Sequence, residues 1–127
     1  QPMRTVMDEY IENHPEIVFC DIRQVERQTV KALERDQAIL FDDMWYFFPE
    51  NLFRSICAPL LDIVALPEIK QRLLEDGFLD CDKGQTSGFT VKKQFVTAYG
   101  QRLRMRFLKV SRDFIVEDGS LTLEERG

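Results

Sequence analysis

Apolar positions recur along this chain with two different periods, and the change of period marks its elements. Between Pro15 and about Arg35, Val18, Ile22, Val25, Thr29 and Ala32-Leu33 return at three- and four-residue steps, with Glu26, Arg27, Lys31, Glu34 and Arg35 falling largely elsewhere. That spacing predicts an amphipathic helix. Before it, residues 1–15 read as an N-terminal extension or a short helix. Thr5 is placed to cap such a helix, and Val6, Met7, Tyr10 and Ile11 share one side. The stretch AILFDDMWYFFP, rich in aromatic and branched residues, predicts two short strands joined at Asp42-Asp43. A single strand through the acidic pair is the alternative, and Pro49 ends the element.

Helical spacing returns in ENLFRSICAP, with Leu52, Phe53, Ile56 and Cys57 inward. Pro67 and Glu68 open a further helix with Leu66, Ile69 and Leu73 as its buried stripe. Its water-facing residues are expected to be Lys70, Gln71, Glu75 and Asp76. Gly77 stands where a left-handed cap belongs. Phe78 and Leu79 then lead through a short strand and a flexible loop, residues 83–88, into strict alternation. FTVKKQFVTAY and RLRMRFLKV, on either side of Gly100-Gln101, predict a β-hairpin. Alternate side chains share a face of a strand. Arg102, Arg104 and Arg106 therefore line one side and Leu103, Met105 and Phe107 the other. The opposing strand adds Lys92 and Lys93, of which only one can join the arginines. Residues 116–127 read as a frayed tail. The expected core comprises Ile22, Val25, Leu33, Phe53, Ile56, Ile69, Leu73, Leu103 and Phe107.

The chain has 127 residues, 44% of them apolar, which suits one domain able to bury a real core. No apolar run nears the roughly 20 residues of a membrane span, and no signal peptide is evident, so the reading is cytoplasmic and without a membrane partner. The net charge of -5 is unevenly placed. Residues 1–80 carry 16 acids and 8 bases, a net of -8; residues 81–112 carry one acid and 8 bases, a net of +7. This is a basic hairpin in an acidic body, and such asymmetry marks a candidate partner surface. Arginine and lysine hold phosphate by charge. Lys92, Lys93, Arg102, Arg104, Arg106 and Lys109 are the candidate nucleic-acid contacts, with Phe95 and Tyr99 as stacking rings if exposed. The helix over 67–76 carries Glu68, Glu75 and Asp76 against Lys70 and Arg72, too acidic to read a groove. Any binding should be weak and not sequence-specific.

Catalytic chemistry finds little support. The single histidine, His14, sits in a chain break, with no context that places it near Cys20, Cys57 or Cys81. Three dispersed cysteines suggest free thiols rather than a disulfide framework. No paired ligand spacing points to zinc. Asp80-Cys-Asp82-Lys-Gly84 lacks the glycine and glutamate positions of a calcium loop. Lys83-Gly-Gln-Thr-Ser-Gly88 lacks the ending of a phosphate-binding loop. No enzyme activity, metal or cofactor is expected.

The order helix, strand, helix, helix, strand, wing, strand resembles a winged helix-turn-helix, an α+β fold. From AILFDDMWYFFPENLFRSI through IKQRLLEDGFLDCDKGQ to YGQRLRMRFLKV, residues 38–110 resemble the C-terminal winged-helix segment of helicase- or primase-related ATPases of mobile elements. The resemblance lies in a strand ending at a proline before a Phe-containing helix, a leucine helix ending in Gly-Phe-Leu, and Gly-x-Arg-x-Arg in the hairpin. It implies a single winged-helix-like domain, non-catalytic and accessory to a DNA-processing protein. The alternative is a protein-interaction or self-association module of the same fold, meeting a protein partner or other domains of a parent chain.

Overall fold

The computed structural model describes residues 2–82 and 88–116. The expected loop over 83–88, apart from Gly88, and the expected tail from residue 117 onward lie outside the described residues. The elements are helix α1 (Pro2–Asn13), strand β1 (Val18–Asp21), α2 (Arg27–Glu34), β2 (Ala38–Phe41), β3 (Trp45–Pro49), α3 (Glu50–Cys57), α4 (Leu66–Glu75), β4 (Leu79–Asp80), β5 (Val91–Val96), β6 (Arg102–Ser111) and α5 (Arg112–Val116). The chain is a mixed α and β protein built on one six-stranded sheet. β1, β2, β3 and β6 lie side by side, and β4 and β5 follow one another along the far edge of β6. Among the described strands β1 and β2 alone pair in parallel, with α2 as their crossover.

The helix expected from Pro15 to Arg35 exists only over its second half. Val18-Phe19-Cys20-Asp21 is a strand, paired from Val18↔Ala38 to Asp21↔Phe41. Branched and aromatic residues favour a pleated surface, and the parallel partner outweighs the helical spacing. Asp21 ends the strand by accepting the Arg23 backbone N–H and its Nε–H, both at 2.9 Å. These bonds hold its carboxyl down at about 2. Ile22 and Val25 are core residues as expected, but they enter from the turn before α2.

The two-strand reading of 38–49 holds. Asp42 closes the connection, its Oδ1 accepting the N–H groups of Met44 and Trp45 at 2.9 Å each. A short polar side chain here replaces the glycine that a tighter turn demands. α4 ends on Gly77 at φ +81. Gly77 N–H donates to Leu74 and Phe78 N–H to Leu73, the paired bonds of a Schellman cap. The turn between β5 and β6 is longer than Gly100-Gln101. β5 stops at Val96, and Thr97–Gln101 form the loop, closed by Thr97 N–H to Gln101 O at 2.8 Å, with Gly100 at φ +86.

Two cores lie on opposite faces of the sheet. One gathers Met7 of α1, Phe53 and Ile56 of α3, Ile69 and Leu73 of α4, and Leu108 and Val110 of β6. The other sets Val25 and Leu33, around α2, against Phe47, Phe95 and Phe107, with Leu103 and Met105 at its margin. Of the expected core, all but the half-exposed Leu103 are buried. Phe107 meets Phe47 edge-on at 5.9 Å between centroids. Among the described residues, no helix is long and apolar enough to cross a membrane.

Candidate nucleic-acid interface

The pleat of β6 sorts its side chains between the two cores. Leu108 and Val110 lie under the helices of the first face, and Arg102, Arg104 and Arg106 continue that row beyond the helices into solvent. Leu103, Met105 and Phe107 turn to the opposite face, over the second core. β5 runs antiparallel with Lys92 opposite Arg106, Gln94 opposite Arg104 and Val96 opposite Arg102. Lys92 is therefore the lysine that shares the arginines' face. Lys93 lies on the other one, its Nζ 5.4 Å from the centroid of the Phe47 ring. Lys109 is also on that opposite face, pairing with Asp80 at 3.0 Å and standing over Trp45 at 4.7 Å. The structure thus brings four of the six candidates together and separates Lys93 and Lys109 from them.

The four are exposed, and among the described residues none pairs with a carboxylate. Arg106 donates to Thr90 Oγ1 at 3.3 Å, which steadies the inner end of the row. Lys92 directly across from Arg106 sets two positive charges on one cross-strand pair, an arrangement that destabilises a sheet unless an anion lies between them. A groove of about 370 Å³ runs over the outer half of the hairpin, lined by Gln94, Val96, Arg102 and Arg104 together with Phe95 and Leu103.

The stacking rings expected from sequence are committed elsewhere. Phe95 is buried in the second core and Tyr99 has the Arg27 guanidinium 4.0 Å over its ring. The Arg27 contact and the Ala98 N–H donated to Val25 O at 2.8 Å tie the hairpin's tip to the start of α2.

Comparison with protein-family models, with curated proteins and with solved structures returned no match.

α4 carries a correction. Lys70 was expected to face water but is buried, its Nζ donating to Gly88 O at 3.2 Å. Desolvation pushes its ammonium below the usual lysine range. Its apolar stem packs inward while its head finds a carbonyl, so an inward lysine looks polar in sequence and acts as a clamp in the fold. The surface left on α4 is Glu68, Gln71, Arg72, Glu75 and Asp76, with Arg72 held by Glu68 at 2.8 Å. His14 stacks on Tyr10 at 4.0 Å and pairs with Glu16 at 2.8 Å. Cys20, Cys57 and Cys81 are all free thiols. Among the described residues no group of three or more His, Cys, Asp or Glu side chains is placed to hold a metal ion.

Proposed function

We propose that this chain is a non-catalytic accessory domain of a mobile-element DNA-processing protein and meets nucleic acid through the basic face of its β5–β6 hairpin. The observation that carries the reading is the row Arg102, Arg104 and Arg106 with Lys92 beside it, exposed, none of the four side chains in an ion pair with a carboxylate among the described residues. The setting follows from the resemblance over residues 38–110. A winged-helix-like arrangement belongs to the same proposal. β3, α3, α4, β4 and the hairpin follow one another in the order of such a domain, with the hairpin as its wing. α4 offers bases mainly acids, so contact is made to the phosphate backbone, weakly and without sequence preference.

The test is fluorescence anisotropy with labelled oligonucleotides at low and moderate salt. Binding should appear at low salt, fall steeply as salt rises, and vanish in the triple variant Arg102→Gln, Arg104→Gln, Arg106→Gln, whose melting temperature should stay close to that of the parent. Absence of binding at low salt, or binding unchanged in the variant, contradicts the proposal.

One observation favours the second reading, a protein-interaction module. Ile63 is 83% exposed, beside an apolar groove of about 350 Å³ lined by Met3, Leu60, Val64 and Ile69. Failure of the anisotropy test leaves this reading in place.

A further inference from the structure

The basic face is one row of charge wide, and that width decides what it can take. From Phe107 to Ser111, β6 is backed by β3; from Arg102 to Arg106 it pairs with β5 alone. The outer hairpin is therefore a ribbon of two strands, about 4.8 Å apart. Along β6 the three arginines stand at alternate positions, about 7 Å from one to the next. That repeat is close to the distance between neighbouring phosphates on one nucleic-acid strand. The row across from them supplies a single cation, Lys92, followed by the neutral Gln94 and Val96.

A duplex presents two phosphate rows across a groove about 6–12 Å wide. This face has cations for one. The second row would fall toward the acidic body, where exposed Asp82 and Glu50 flank the ribbon's inner end. Asp82 accepts the Lys92 backbone N–H at 3.0 Å, and Glu50 opens α3 beside Lys70. Nor does the face offer bases a platform: among its described residues it holds no aromatic ring, since Phe95 points into the second core and Tyr99 lies under Arg27.

Building on the proposed nucleic-acid reading, we propose that the ribbon takes a single nucleic-acid strand by its phosphates, one phosphate to each arginine, with the bases turned to solvent. With no ring to stack the bases and the arginines engaged with phosphate, DNA and RNA single strands should bind alike. Lys92 and Arg106 share the innermost phosphate, which relieves their mutual repulsion.

The test compares four labelled probes of one length by anisotropy at low salt: single-stranded DNA, single-stranded RNA, an abasic single strand and a duplex. The three single strands should bind within about threefold of one another, because no base stacking is lost in the abasic one. The duplex should bind more weakly than any of them, because its second phosphate row is brought toward the Asp82 carboxylate at the ribbon's inner end. The slope of log affinity against log salt for the single strands should be about -2, the value for three phosphates. Changing Arg104→Gln alone should reduce that slope by about 0.7 and leave the fold intact. A duplex bound as tightly as the single strands, or an abasic strand more than tenfold weaker than the normal one, would overturn the inference and leave the proposed function standing. Binding by none of the four removes both.

Discussion

Cys57 shows how a single side chain's surroundings set its chemistry. It is fully buried among α1, α3 and α4, its thiol 3.8 Å from Met3 Sδ, and desolvation pushes it up to about 12. The thiolate is the nucleophile, so at pH 8 the folded protein presents almost none at this site. A thiol reagent at that pH should leave Cys57 unmodified until a denaturant is added, while half-buried Cys20 and Cys81 react first; mass spectrometry of the digested protein reads the order. Rapid native labelling of Cys57 would contradict its placement. Side chains of one meaning were legible in the sequence in this way: a cysteine on an apolar helical stripe is buried, and arginines at alternate strand positions share a face. Lys70 was not legible, because an amphipathic side chain suits either side of a helix. Only the carbonyl of Gly88, eighteen residues on, explains its inward turn.

At the scale of elements, caps and pairing partners separate what local pattern settles from what it cannot. The end of α4 was readable because glycine after a leucine stripe has one common structural use. Gly77 lies at φ +81 with open space where a Cβ would stand, so Gly77→Ala meets no clash and pays only the left-handed backbone strain. It should lower stability by about 1–2 kcal/mol in a denaturant titration. No measurable change would mean that α4 does not end in a Schellman cap. β1 was hidden for the opposite reason. Val18–Asp21 gains its identity from Ala38–Phe41, which lies beyond α2, and a window along the sequence does not contain that partner. The hairpin turn is longer than the alternation suggests, because Thr97 uses both its backbone and its Oγ1 to bond Gln101 and so ends β5 early.

Over the whole molecule, the sheet explains why the charge is where it is. Helices α1, α3 and α4 pack on one face of the sheet and α2 on the other, and one face of the outer hairpin is covered by the residues around α2. The remaining face, past the reach of α3 and α4, keeps Arg102, Arg104 and Arg106 in solvent beside Lys92. The hairpin and its charge were legible in the sequence. Which of Lys92 and Lys93 joins the arginines was not, since it depends on the β5–β6 register; alternation along β6 already sets Lys109 on the other face, where Asp80 pairs with it. The most direct measurement is an amide NMR titration of the labelled protein with a short single-stranded oligonucleotide at low salt. Shifts should concentrate at Lys92, Gln94, Val96, Arg102, Arg104 and Arg106 and spare α4 and the groove around Ile63. Shifts confined to α4 or to that groove, with the hairpin unmoved, would contradict the assignment of the basic face as the contact surface.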